Sequence, residues 1–259
     1  PIVSTTYTVF VSDGMCTAQD SVFILVHQDV PNPTFTTNNH CEGDITQFIA
    51  SSSTISNNIL WNWSFGANQQ ITNQIFPLGT HSVSLFVQNL DNLCYDSITQ
   101  VFEINPLPNT NFSTNSVCEG EYIFFNDLSS SNVNYWNWEM GDGSIQSNLQ
   151  YPSYLYPVAG NYLVKLSVIS DEGCQDSISK EVIVNHIPNA NFISYDACEG
   201  ERSILVDKSE VIGANLISWT YTFPDGSIDT NINSAYIFQK YGNYSVELTV
   251  VSDQGCESE

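Results

Sequence analysis

The sequence has 259 residues, and its 28 acidic side chains against five lysines and arginines give a formal net charge of −23. A surface so poor in Lys and Arg cannot neutralise phosphates, which excludes nucleic acid and anionic lipid as partners; it suits a soluble, mutually repelling protein or one that gathers Ca²⁺. No apolar run approaches the roughly 20 residues that span a bilayer, and the opening Pro1-Ile2-Val3-Ser4 has neither the basic nor the apolar part of a signal peptide.

Such a length fits one large domain or several small ones, and internal repetition decides between them. Residues 1–29 contain Tyr7-Thr8-Val9-Phe10-Val11, then Cys16 and Asp20-Ser21-Val22. They match only the last two strands of the later repeats. Residues 30–106 form the first full repeat: a short strand with Phe35, then Cys41-Glu42-Gly43, then an aromatic strand with Trp61, Trp63 and Phe65. A spacing of two places these three side chains on one face of a central strand, which predicts a buried face. The turn that follows, Gly66-Ala67-Asn68, departs from its counterparts.

Residues 107–186 repeat the pattern with Phe112, Cys118-Glu119-Gly120, Tyr122-Ile123-Phe124-Phe125 and the triplet Trp136, Trp138, Met140. The turn Gly141-Asp142-Gly143 supplies the backbone angles of a tight connection. Tyr162 to Val168 then alternates apolar and polar residues, as a half-buried antiparallel strand does. A hairpin with Gly173-Cys174 leads to the last strand, Ser179 to Val184, and Pro106, Pro108 and Pro188 mark the joints. Residues 187–259 carry Phe192, Cys198-Glu199-Gly200, Ser203 to Val206, the triplet Trp219, Tyr221, Phe223, the turn Pro224-Asp225-Gly226, the alternating strand Tyr244 to Val250 and Gly255-Cys256. Copies of about 80 residues are too long for solenoid units and suit small sandwiches with their own cores. The sequence therefore reads as all-β, an excerpt of a longer tandem array cut inside a repeat at each end.

Trp-x-Met-Gly-Asp-Gly followed by Tyr-Pro-x-Ala-Gly-Asn-Tyr-x-Val-x-Leu-x-Val, from Tyr156 to Val168, resembles the PKD domain, an immunoglobulin-like β-sandwich module. The cysteines before strand B and before the last strand are similar to those in PKD repeats of very large Bacteroidota surface proteins, including gliding-motility adhesins exported by the type IX system. The resemblance implies an elongated stalk, spacer or adhesive filament at the cell surface. Its partners would be neighbouring repeats and the outer-membrane secretion or motility machinery.

Seven cysteines at repeating positions in a chain that looks exported point to disulfides. His27, His40, His81 and His186 are scattered, and no close Cys pair suggests zinc. One scheme pairs cysteines within each copy: Cys41 with Cys94, Cys118 with Cys174, Cys198 with Cys256. In a sandwich, however, the two turns involved lie at opposite ends, some seven residues or roughly 23 Å apart, whereas bridged Cα atoms lie within about 7 Å. Head-to-tail copies instead bring together Cys41 with Cys174 and Cys118 with Cys256, leaving Cys16, Cys94 and Cys198 to partners elsewhere. Loop entropies of about 4 and about 5 kcal/mol do not choose between the schemes. Bridge geometry favours the second, which makes a stiff rod of stapled joints.

Asp142 and Asp225 are weak candidates for Ca²⁺ ligands, with turn capping the plainer reading, and no other cofactor is expected. The aromatic residues Trp61, Trp63, Trp136, Trp138, Trp219 and Tyr221 are read as core rather than as a sugar-stacking platform. Ser21, Ser97 and Ser177, in recurring Asp-Ser-Val or Asp-Ser-Ile triplets, resemble O-glycan acceptors of exported Bacteroidota proteins and equally suit exposed strand starts. No nucleophile elbow, phosphate loop or metal-binding His pair is present. The expected function is a non-catalytic stalk segment of a secreted surface adhesin. The alternatives are a module that binds polysaccharide or protein through exposed loops, and an accessory region of a secreted hydrolase.

Overall fold

The structure is a computed structural model, and it describes residues 2–38, 40–130 and 132–258. These residues form strands and connections without a helix, divided between two compact units: residues 1–107 with 172–174, and residues 108–171 with 175–259.

The first unit opens with a hairpin of β1 (Thr5–Ser12) and β2 (Thr17–Ile24), antiparallel from Thr5 against Ile24 to Ser12 against Thr17. A sandwich follows. One sheet has the order β3-β4-β6, from β3 (Pro33–Thr37), β4 (Thr46–Ser52) and β6 (Ile71–Gln74). The other has the order β5-β7-β8, from β5 (Ile59–Trp63), β7 (Gly79–Asn89) and β8 (Tyr95–Ile104). Alternation along β7 turns Val83, Leu85 and Val87 inward, where they pack with Phe35, Phe48, Ala50 and Trp63. Trp63 meets the rings of Phe35 and Phe48 edge-on at 5.1 and 5.3 Å, and its indole N–H donates to the Gln69 carbonyl. The only polar atom of the indole is thus satisfied inside the core.

The second unit holds two more cores. Its larger sheet has the order β10-β17-β16-β13-β14, from β10 (Val117–Cys118), β13 (Val133–Glu139), β14 (Ile145–Ser147), β16 (Gly160–Ser170) and β17 (Gln175–Asn185). The facing layer consists of β9 (Phe112–Ser113) with β12 (Asn126–Asp127), and β11 (Tyr122–Phe124) with β15 (Ser153–Leu155). Strand B is one strand in the first sandwich but two in this one: Phe125, next in register, donates to the Pro152 carbonyl at 2.9 Å, but the proline has no N–H to return the bond and the ladder stops there. Trp138, Met140, Tyr156, Val164, Leu166 and Val168 are buried between the layers. The last core lies between the sheets β18-β19-β22 and β21-β20-β23. These strands are β18 (Phe192–Ser194), β19 (Arg202–Asp207), β20 (Leu216–Thr222), β21 (Ile228–Asp229), β22 (Ser234–Ile237) and β23 (Glu247–Ser252).

Three sequence expectations need correction. Trp63, Trp138 and Tyr221 are fully buried, but Trp61, Trp136 and Trp219 are only partly so. They stand two residues nearer the strand start, at the rim of each core, where the Trp136 N–H reaches the Asp127 carboxylate at 2.8 Å. Phe65 does not continue its strand: the first sandwich turns two residues early, closing Trp63 N–H on the Ala67 carbonyl, and Phe65 packs from the turn onto Trp63. In the third copy the strand expected from Tyr244 begins at Glu247. There the Tyr244 ring stacks on Phe238 at 4.4 Å and its hydroxyl donates to the Lys240 carbonyl at 2.7 Å.

The Gly141 position shows why one turn demands glycine. Its φ is +85°, and a Cβ there would lie 2.8 Å from the Leu163 carbonyl oxygen, inside contact distance.

Candidate functional site

The residues that stand out chemically are the cysteines. Cys41 follows strand β3 and forms a parallel bridge with Asn105, just past the end of β8. The bridge is tied on both sides: Asn105 N–H donates to the His40 carbonyl at 2.7 Å and Glu42 N–H donates to the Asn105 carbonyl at 2.9 Å. The same arrangement recurs at Cys118, which lies in β10 alongside Asn185 at the end of β17, with Glu119 N–H donating to the Asn185 carbonyl at 2.9 Å. Each of these cysteines is thereby fixed beside the point where a last strand runs out.

Cys174 and Cys256 sit in the turn before a last strand, and both are fully buried. Around Cys256, Ser252 N–H donates to the Cys256 carbonyl and Cys256 N–H returns a bond to the Ser252 hydroxyl, at 2.9 and 3.2 Å. The structure joins Cys41 to Cys174 and Cys118 to Cys256, with Cα atoms 5.5 and 5.6 Å apart, inside the span a disulfide needs. The two bonds span 133 and 138 residues. Cys16, Cys94 and Cys198 carry free thiols, exposed for Cys16 and Cys198 and half-buried for Cys94.

Two groups beside the cystines went unnoticed in the sequence. Asn105 and Asn185 supply the backbone bridges that hold Cys41 and Cys118. Their signal was present, since each occupies the residue after the last apolar strand position and shortly before a joint proline. The second group is a polar clasp between first and last strands. Gln100 donates to the Phe35 carbonyl at 3.1 Å, and at the equivalent place Lys180 donates to the Phe112 carbonyl and, at 2.7 Å, to Asn111 Oδ1.

Asp142 and Asp225 act as turn caps. Asp142 accepts from Ser144 N–H at 2.9 Å and from the Tyr154 hydroxyl at 2.7 Å. Burial opposes its charge, but these bonds outweigh that and keep the carboxyl below its usual range. Asp225 accepts from the Ser227 hydroxyl at 2.7 Å and from Ser227 N–H at 3.0 Å, and its carboxyl is held at about 2, first by the Ser227 hydroxyl and then by that of Tyr236. Among the described residues, no group of three or more His, Cys, Asp or Glu is placed to hold a metal ion. Ser21, Ser97 and Ser177 are all exposed, near the starts of β2, β8 and β17.

Antiparallel sandwiches in tandem, with a cysteine laid parallel to the end of each last strand, define an immunoglobulin-like repeat protein. The chain belongs to the PKD domain family, whose model matches residues 105–184 and 185–259, more than half of the chain. The pre-pro-metalloprotease PrtV of Vibrio cholerae serotype O1 is 28% identical over 132 residues, 49% of this chain and 14% of that protein. The chain thus spans only a small part of the length of the curated relatives it matches. Among solved structures, the PKD1 domain of Vibrio anguillarum Epp is 26% identical, covering 31% of this chain and 95% of that one at a TM-score of 0.28. The PKD1 domain of the Vibrio cholerae metalloprotease PrtV is 28% identical, covering 30% and 96% at a TM-score of 0.28.

Proposed function

We propose that this chain is a non-catalytic structural segment of a secreted, extracellular protein, in which cystines staple successive PKD repeats to one another. One observation carries the reading: each bond runs from the connection between one repeat's first two strands, beside the end of its last strand, to the hairpin cysteine of the next repeat. Such a bond adds nothing to a single sandwich and a second covalent link to the joint. Disulfides also persist only in oxidising surroundings, which favours an exported protein. On the family resemblance we extend the proposal to the stalk of a cell-surface adhesin of the gliding-motility, type IX kind, with export or motility machinery as partner. Ser21, Ser97 and Ser177 would then be O-glycan acceptors, visible as added hexose mass on protein isolated from its host.

The test uses the five tryptophans. Tryptophan-selective chemical cleavage yields four large pieces, residues 1–61, 64–136, 139–219 and 220–259. Without reductant we expect two products, 1–61 joined to 139–219 and 64–136 joined to 220–259. Pairing within each repeat would instead hold all four together in one product, and that result refutes the stapled joint.

The similarity to a metalloprotease favours a second reading, an accessory region of a secreted hydrolase. The complete open reading frame separates the two: one catalytic domain beside a few repeats supports it, and tens of repeats support the stalk.

A further inference from the structure

The two bonds overlap in the sequence. Cys118 lies inside the span from Cys41 to Cys174, and Cys174 lies inside the span from Cys118 to Cys256. We infer that these interlocked cystines make residues 41–256 a covalent ladder, closed for as long as the sandwiches stay folded, which keeps the chain whole after a backbone cut and limits how far it can be drawn out. The inference deepens the structural reading above and rests on it.

A cut anywhere from Glu42 to Val117 leaves the path through Cys41, Cys174, Cys118 and Cys256 intact. A cut from Glu119 to Gly173 leaves both outer fragments joined through the two bonds. A cut from Gln175 to Gly255 is bridged by Cys118–Cys256. Non-overlapping bonds would leave the stretches between them severable, so the protection comes from the interlock. The same connectivity shortens the chain under tension. With every sandwich unfolded, the shortest covalent path from end to end runs backwards from Cys174 to Cys118 and contains about 100 residues, roughly 350 Å at full extension, against roughly 900 Å for the reduced chain.

What keeps the ladder closed is burial. Thiol–disulfide exchange needs a thiolate to attack one sulfur in line while the other leaves as thiolate. Cys174 and Cys256 are fully buried, and Cys41 and Cys118 are half-buried against the last-strand asparagines. A thiol, including the chain's own Cys16, Cys94 and Cys198, reaches the Cys174 and Cys256 sulfurs only when the turns open, and meets Cys41 and Cys118 from one side only.

The experiment is limited digestion of the folded, oxidised chain with a non-specific protease, to less than one cut per molecule, in millimolar reduced glutathione. For cuts between residues 42 and 255 we expect the fragments to run together on a non-reducing gel and to part only after denaturation with reductant, whereas cuts before Cys41 trim the chain from its start. Fragments mapping between Cys41 and Cys256 that separate without denaturation would overturn the inference, and if the tryptophan cleavage had still given its two products, the stapled-joint reading would survive. Cys41→Ser should make cuts from residue 42 to 117 separate while later cuts stay held. Should that variant not fold, Cys256→Ser makes the matching prediction for residues 175–255. Stretching the unmodified chain by its ends gives an independent reading: contour length should rise about 2.5-fold on reduction, and equal lengths would refute the limit.

Discussion

At Leu93 a side chain occupies a backbone conformation that the other repeats give to glycine. Its φ is +62°, and it precedes Cys94 as Gly173, at +86°, precedes Cys174 and Gly255, at +84°, precedes Cys256. A left-handed conformation costs an ordinary residue about 1–2 kcal/mol, and part of that is returned because glycine loses about 0.5–1 kcal/mol more chain entropy on folding. Leu93 is 65% exposed, so little packing opposes the exchange. Leu93→Gly should therefore stabilise the first sandwich by about 0.5–1 kcal/mol, read as a higher urea midpoint with unchanged slope. A lower midpoint would mean that Leu93 makes apolar contacts worth more than its backbone strain. Single residues also explain the rim tryptophans: with 3.4 Å of rise per residue, a residue two places along a strand stands about 7 Å farther from the core centre. The spacing in the sequence set the face each indole occupies but not its depth.

Among elements, the first strand of each full sandwich is short, and side chains from the last strand hold it in place. Lys180 donates to Asn111 Oδ1 and the Phe112 carbonyl and lies 5.1 Å over the Phe112 ring, while Gln100 does the first-sandwich version of the task. Lys180→Met keeps the stem and removes the donors, so it should cost about 2–3 kcal/mol, the range for charged hydrogen bonds whose acceptors stay part-buried. Lys180→Gln should recover more than half of that, since the first sandwich already works with glutamine. Equal losses in thermal unfolding would show that the charge, not the donor, matters. The clasp was hidden in the sequence because a lysine in an alternating strand reads as a solvated position. The core alternation in β16 and the turn glycines were legible, since period and turn chemistry are local. The split of strand B was not, because it depends on Pro152 falling opposite Phe125 across the sheet, and the early turn after Trp63 showed only as the departure of Gly66-Ala67-Asn68 from the other turns. The cysteine pairs lay between these cases. Spacing gave the repeating positions and sandwich geometry favoured the pairs between copies, but the Asn105 and Asn185 bridges that seat Cys41 and Cys118 showed only in three dimensions.

For the whole molecule, charge and protonation set the range of stability. Lowering the pH from neutrality relieves the repulsion of a net charge of −23, which by itself would stabilise the fold. The carboxylates oppose this. Asp13, Asp91, Asp225, Asp229 and Asp253 are held below their ordinary value of 3.8, chiefly by hydrogen bonds from Cys16 N–H, Ser56, Ser227, Ser234 and Asn215 respectively. Asp127 is lowered too: its burial pushes upward, and bonds from Ser129, Gln150 and Trp136 outweigh it. With folded values below unfolded ones, the unfolded chain binds more protons in acid, so this stability is present above pH 3.8 and is lost as the pH falls through the folded values. At the alkaline end the sign reverses. Burial raises Tyr156, whose hydroxyl donates to the Met140 carbonyl at 2.7 Å, and pushes Tyr221 up to about 12, so their contribution is complete below the ordinary value of 10.0 and fades as the pH rises through the folded values. Calorimetric transition temperatures should therefore form a plateau from about pH 4 to about pH 10 with a fall on either side. Asp127→Asn should flatten the acid limb by removing one of the groups that produce it. A steady rise in transition temperature from pH 7 to pH 3 would show instead that charge repulsion outweighs the hydrogen-bonded carboxylates.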